Sequence, residues 1–429
     1  MIDRGALRGD AARLEQALAR RDPALVAEGS PWRRALALDG VQRAHKRRAE
    51  ALQAERNRVS REIGRKKRAG MEASEELARM AEVAGAIKQA EAEARAAEAE
   101  FAALLLEIPN PLHQSVPDGV DESDNVELRR WGVPRGDVVP PHWEIAPALL
   151  DFDAAARLAG SRFSVLRGPL ARLERALIQF MLDLHTTRHG YEEVWVPAIV
   201  NRETMTGTGQ LPKFEEDLYR LADEGLYLIP TAEVPVTNLY RDQVLDGERL
   251  PIRHCAWTPC FRREAGSAGK DVRGLIRQHQ FDKVELVQLI EPSEALDRLD
   301  ELTGHAEAVL QALELPYRVV ALCAGDVGFS AEKTFDLEVW LPGQQAFREI
   351  SSCSSFGQFQ GRRARIRYRP SAGARPEPVA TLNGSGLAVG RTLVALLENG
   401  WQPDGSVRLP EVLHSYMGGM ERLPAEVLR

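Results

Sequence analysis

Between Asp39 and Glu107 the chain contains no proline and is composed mainly of Ala, Glu, Arg, Lys and Leu. Apolar residues recur there at steps of three and four: Leu52, Val59 and Ile63, then Leu77, Ala81, Ala84, Ile87, Ala94, Phe101 and Leu105. That period predicts long amphipathic helices. Ala69-Gly70 is the one convincing turn signal in the stretch, so the helices should fold back on each other as an antiparallel hairpin. At 1.5 Å per residue the hairpin would be about 50 Å long. Two helices bury little by themselves, and a larger body must account for the rest of the chain.

The charges of the hairpin are segregated. Val41–Gly70 carries eleven Lys and Arg against three Asp and Glu, a net of +8, whereas Met71–Glu107 carries three against nine, a net of −6. Two uses fit this pattern. The helices can attract each other across their seam, which is the commoner arrangement. Alternatively the basic helix, with Lys46, Arg47, Arg48, Arg58, Arg61, Lys66, Lys67 and Arg68, grips a phosphate backbone. Charge alone favours the first. The chain-wide net charge of −7 over 429 residues argues against a protein that coats nucleic acid along its whole surface. No apolar run is long enough for a membrane span, and the start, MIDRGALRGD, has no apolar signal core. Four cysteines without a CxxC pair and nine histidines without HExxH point away from a disulfide framework or a zinc site, and towards a reducing cytoplasm.

Ile108–Gly119 carries Pro and Gly and reads as a linker. Beyond it, a helical pattern at Leu173–His185 mixes with strand-like runs at 193–196, 226–229, 283–289 and 335–340. These runs do not alternate regularly with crossover helices, which predicts an α+β domain around an antiparallel sheet. Two nucleotide signatures are missing. No GxxxxGK followed by Ser or Thr occurs, and Gly384–Gly390 is GxGxxxG, one residue too long for a dinucleotide fingerprint.

The richest stretch is Thr258–Leu286, read as strand, Gly-rich loop, strand. Period two puts Arg262 and Glu264 on one face, and Arg277, Phe281 and Glu285 on one face of the second strand. Phe281 to Glu285 would span about 13 Å, near the reach of an extended aminoacyl-adenylate. Arginines for phosphate, an aromatic for a base and a carboxylate for an ammonium make a coherent set. An ion-paired surface hairpin would account for the arginines but leaves Phe281 unexplained.

This stretch, FRREAGSAGKDVRGLIRQHQFDKVELV, resembles motif 2 of the bacterial-type seryl-tRNA synthetases, class II aminoacyl-tRNA synthetases. TLNGSGLAVGRTLVALLEN resembles their motif 3, and Leu173–Pro197 fits the weaker motif 1. TAEVPVTNLY and EISSCSSFGQFQGRR resemble two further blocks typical of the serine enzyme. The resemblance runs nearly end to end and is weakest over the first 40 residues. It implies a class II antiparallel sheet flanked by helices, with a tRNA-binding coiled-coil arm at 1–107 and a catalytic, dimerising body at 108–429.

By the same resemblance, Arg262 would hold the ATP α-phosphate, Arg391 the γ-phosphate, and Arg277 a further phosphate; these three carry catalysis. Glu264 would sit near the adenine and Phe281 would stack on it, with Arg263, Ile350 and Ser351 among the ATP contacts. Glu349 and Ser352 would ligate Mg²⁺, although strand parity pairs Glu349 with Ser351, so using Ser352 requires the strand to end or bulge. Thr231, Ala232, Glu233, Arg262, Glu285, Asn383 and Ser385 would form the serine pocket. The implied partners are L-serine, the tRNA-Ser long variable arm, which the basic helix would contact, and a second copy of the chain. Ser355 and Phe335 depart from the residues expected there, and with the divergent first 40 residues they leave a specialised paralogue as an alternative. An amino acid–carrier-protein ligase would lack the arm, and an inactive coiled-coil adaptor would have lost the motif arginines.

Overall fold

The structure, a computed structural model, describes residues 1–266 and 273–429; the centre of the Gly-rich loop read from the sequence, Ser267–Val272, lies outside them. The chain divides into two compact units, Ile2–Pro109 and Asn110–Arg429 (joined by Met1).

The first unit contains α1 (Arg4–Gly9), α2 (Ala11–Arg21), α3 (Pro31–Arg68) and α4 (Ser74–Glu107). α3 starts with proline in its first turn and a Ser30 side chain capping Arg33 N–H. It stops at the expected turn, where Gly70 has φ +70°. The seam on α4 runs through Val83, Ile87, Ala90, Ala97, Phe101 and Leu104, a heptad alternation of threes and fours. Leu77, Ala81 and Ala84, expected in the seam, are exposed. They lie one residue out of register with Val83 and Ile87, and alanine-rich sequence offers both registers. The larger side chains decide between them.

The opposite charges of α3 and α4 do meet. Lys66 pairs with Glu76 at 2.6 Å, Arg34 with Glu100 at 3.2 Å and Arg48 with Glu93 at 3.9 Å. Lys66 therefore points along the seam, whereas Lys46, Arg47, Arg48, Arg58, Arg61, Lys67 and Arg68 are exposed. The first 30 residues, where the resemblance is weakest, pack back on α3. Arg8 forms a two-nitrogen ion pair with buried Asp39, and Trp32 and Leu18 are enclosed.

The second unit is built on an eight-stranded sheet. Its strands are β1 (Val126–Trp131), β2 (Glu192–Glu193), β3 (Ile252–Phe261), β4 (Gln280–Ile290), β5 (Tyr317–Ala321), β6 (Lys333–Leu341), β7 (Ala346–Ser355) and β8 (Ala380–Ala388). Their order is β1-β5-β6-β7-β8-β4-β3-β2, antiparallel at every pair except β2 with β3. The strand expected at 193–196 is thus mostly irregular: only its start joins the ladder.

This unit includes the short helices α5 (His142–Ile145) and α7 (Glu233–Asn238), and three longer ones, α6 (Gly168–Arg188), α8 (Ala295–Ala312) and α9 (Val389–Gly400), contribute to the main core. Val284, Leu286 and Ile290 of β4 and Leu337 and Val339 of β6 face it. Gly384 is needed there, because a Cβ would stand 2.3 Å from Leu302 of α8. The segment expected as a linker is instead docked. Asn110 donates to the carbonyls of Ser330 and Phe356 at 3.0 and 2.9 Å, and Leu112 and Val116 are buried against Val320, Leu322 and Val327. Prolines marked the absence of regular structure there, not the absence of packing.

Candidate active site

On the sheet face opposite α6, α8 and α9, β4, β7 and β8 present polar side chains to a cavity of about 670 Å³. On β4 the odd residues Phe281 and Lys283 line it, and Glu285, next in that row, sits beneath it, 1% exposed. On β8 the same face carries Asn383 and Ser385, with Ser385 directly opposite Glu285.

β7 reaches the cavity with Glu349, Ile350, Ser352 and Ser354. It does so through a bulge. Glu349 stands opposite Glu338 but Ser351 opposite Leu337, so Ile350 is an extra residue and the parity of the strand changes there. This reconciles Glu349 with Ser352. Ser351 is correspondingly turned away: its hydroxyl donates to the Ser385 carbonyl at 2.7 Å, and it does not line the cavity.

One end of the cavity is cationic. The Arg262 guanidinium lies 5.2 Å from the Phe281 ring centre. Arg277 is paired at 2.6 Å with Glu264, a residue held in the left-handed region at φ +52°. Arg391, at the start of α9, donates to the Ile276 carbonyl at 3.2 Å and pairs with Glu349 at 3.3 Å. The Arg391 guanidinium holds the Glu349 carboxyl below its usual range, whereas burial and then neighbouring Glu349 push Asp336 well above it. Asp336 stands opposite Ser352 across the ladder.

The other end is a buried carboxylate pair. Asn383 Nδ2 donates to Glu233 at 2.9 Å and to Glu285 at 3.0 Å, bridging them. Lys283 Nζ pairs with Glu285 at 2.5 Å. Gln360 donates to Glu233 at 2.5 Å and is itself fixed by the Thr381 hydroxyl at 2.6 Å. Burial, and then the charge of Glu285, raise the Glu233 carboxyl to about 7. Thr231 also lines the cavity.

Of the expected contacts, Arg263 and Ala232 do not line it. Arg263 borders a separate shallow surface with Glu215 and Tyr219, and Ala232 is packed in an apolar cluster with Val236 and Val287. Each stands between two residues that do line the cavity, Arg263 between Arg262 and Glu264, and Ala232, at the start of a short helix, between Thr231 and Glu233. Lys283 and Gln360 were missed. The same period that selected Phe281 and Glu285 selects Lys283 between them, whereas Gln360 reaches Glu233 only through the tertiary fold. Among the described residues, no group of three His, Cys, Asp or Glu side chains is arranged to hold a metal ion, and no helix is long and apolar enough to cross a membrane.

Two family models match the chain, the seryl-tRNA synthetase N-terminal domain over residues 1–112 and the class II tRNA synthetase core domain (G, H, P, S and T) over residues 214–400. A serine–tRNA ligase of Nitratidesulfovibrio vulgaris is 55% identical, with 96% of this chain and 100% of that protein covered. The crystal structure of the Pyrococcus horikoshii seryl-tRNA synthetase complexed with ATP superposes with a TM-score of 0.93 at 36% identity, covering 99% of each chain. The cytoplasmic serine–tRNA ligase of Naegleria fowleri in complex with AMP gives 0.86 at 31% identity, over 98% of this chain and 97% of that one.

Proposed function

The chain belongs to the seryl-tRNA synthetase family, and from that premise we propose that it activates L-serine with ATP and transfers it to tRNA-Ser. The carrying observation is that a single cavity joins the arginines Arg262, Arg277 and Arg391 to Glu233 and Asn383, with Glu285 held beneath it by Asn383. The first set suits a triphosphate, the second an α-ammonium and a hydroxyl.

The serine ammonium lies against Glu285 and Glu233, and its side chain among Thr231, Asn383 and Ser385. Its carboxylate attacks the α-phosphorus, the bond to the bridging oxygen breaks, and pyrophosphate leaves. Arg262, and Lys283 beside it on β4, meet the charge that develops on the α-phosphate. Arg391 holds the far phosphates, Arg277 is released from Glu264 to join them, and Phe281 stacks on the adenine. No protein nucleophile is needed, because orientation and fixed charge supply the acceleration. The terminal adenosine hydroxyl of the tRNA then attacks the seryl carbonyl and AMP leaves. The oxygens of Glu349 and Ser352, brought to one side by the Ile350 bulge, suit Mg²⁺, which when bound neutralises phosphate charge. A pocket that hydrogen-bonds the hydroxyl rejects alanine, since its own polar groups would be left unpaired.

The first unit serves as the tRNA arm and the second as the catalytic body. The motif 1 segment, with Trp195 left 85% exposed, forms the contact with a second copy, and the enzyme works in the cytoplasm. ATP–pyrophosphate exchange with each of the twenty amino acids, followed by charging of total tRNA, tests this function. Exchange without serine dependence, or serine exchange without tRNA charging, would overturn it; charging of a carrier protein would instead favour the carrier-protein ligase.

The raised Glu233 carboxyl has a direct consequence. A protonated Glu233 repels no charge and attracts none, so the serine ammonium binds best when it is ionised. Because its value is about 7, KM for serine should fall by about tenfold from about pH 6 to about pH 8. Glu233→Gln should flatten that profile, and a profile unchanged by the substitution would remove Glu233 from serine binding.

The arm carries its own test. Changing Lys46, Arg47 and Lys67 together to Ala should weaken tRNA-Ser binding and reduce the slope of log K against log salt by about 2. Lys66→Ala should change the slope less, because Lys66 is already engaged with Glu76. Equal slopes for wild type and triple variant would assign the basic helix to folding alone.

A further inference from the structure

Helix α9 holds the Leu275–Ile276 segment of the cavity wall at two points. Arg391 donates to the Ile276 carbonyl near the N-terminus of the helix. Two turns later, on the same side of α9, Glu398 is fully enclosed with His142, the first residue of α5 (His142–Ile145). Glu398 Oε1 accepts from the His142 backbone N–H at 3.2 Å and stands 3.0 Å from Nδ1; Oε2 accepts from Gly343 N–H at 3.0 Å.

On the far side of the imidazole, the Leu275 backbone N–H lies 3.0 Å from Nε2. A backbone N–H can only donate, so Nε2 is the unprotonated nitrogen and the ring proton sits on Nδ1, donated to Glu398. Gly274 lets the ring lie flush on the chain: it has φ +87°, and a Cβ there would meet Nε2 at 2.5 Å and Trp143 at 2.8 Å.

Enclosing a hydrogen-bonded imidazole and carboxylate is no general route to stability, since apolar residues of similar volume often do as well. What this pair provides that an apolar pair could not is a directed acceptor for Leu275. We propose that His142 and Glu398 are positioning residues for ATP, pinning Leu275 to α9 so that the adjoining Ile276 carbonyl aims the Arg391 guanidinium into the cavity. The proposal rests on the reading above that Arg391 contacts the triphosphate.

ATP–pyrophosphate exchange separates the two KM values and tests it. His142→Asn keeps a donor near the Nδ1 position for Glu398 but offers Leu275 no acceptor; His142→Gln places its amide oxygen near the Nε2 position. The Asn variant should raise KM for ATP by about tenfold and leave KM for serine within about twofold, and the Gln variant should recover most of that loss. An unchanged KM for ATP, or both KM values rising together in both variants, would overturn the proposal.

Arg391→Ala, alone and combined with His142→Asn, separates the premise from the inference. Because the two act through one contact, their effects on KM for ATP should be less than additive. If Arg391→Ala leaves KM for ATP unchanged, the reading of Arg391 fails and the proposal falls with it. If it raises KM but the two effects add in full, the positioning role alone is overturned. Should His142→Asn not fold, Glu398→Gln decides in the same way. It keeps an acceptor for the ring and turns an amide N–H towards Gly343, so it should raise KM for ATP selectively.

Discussion

Glu285→Ala should lower serine-dependent ATP–pyrophosphate exchange by about a thousandfold or more, a loss of about 4 kcal/mol in transition-state binding. Three effects converge on this carboxylate. It is buried beneath the cavity floor, it pairs with Lys283 at 2.5 Å, and it shares Asn383 with Glu233 at 3.0 Å. Its removal leaves the Lys283 ammonium in a buried site without its counter-charge, which is costly in itself. It also removes the nearest anion from the position proposed for the serine ammonium.

Glu285→Gln separates the two losses, because the amide fills the volume and still accepts from Asn383. It should retain the folded state, measured by thermal melting, while exchange remains depressed by about a hundredfold. Wild-type exchange in either variant would remove Glu285 from the pocket.

The second large effect concerns the arm. Gln42 and Glu98 hydrogen-bond across the two long helices, so joining them through a short Gly-Ser turn would excise residues 43–97 without cutting across the pair. The shortened protein should form seryl-adenylate at the wild-type rate and lose charging of tRNA-Ser by about a thousandfold, as expected when most phosphate contacts are removed. Charging at the wild-type level would refute the arm's function. Loss of exchange as well would show that the arm is needed for more than tRNA.

Much of this was legible in residue order. The proline-free, charge-segregated stretch gave both long helices and the turn at Ala69-Gly70, because helix period and helix breakers are local properties. Period two along Phe281 and Glu285 located the face of the site for the same reason. The seam register of α4 was misread at Leu77, Ala81 and Ala84, since alanine in two registers gives the pattern no preference until a partner helix is present. The docking of Asn110 and Leu112 was not legible either, because nothing local says what a proline-rich segment will pack against. Gln360, His142 and Glu398 lay beyond reach as well: each acts through a partner more than a hundred residues away.

The bulges have a consequence for how the gene can change. β7 has one at Ile350, and β8 has another between Ser385 and Ala388. Each shifts its strand by half a pleat, so core-facing and cavity-facing positions exchange parity within one element. Deleting the codon for Ile350 would only restore one-to-one register with β6 and leave Glu349 and Ser352 on one face. Deleting Cys353, in the regular part of β7, would instead turn Ser352 or Ser354 against the hydrocarbon interior. Point substitutions can therefore explore this cavity gradually, whereas insertions and deletions of one residue in the regular parts of β7 or β8 amount to a different protein.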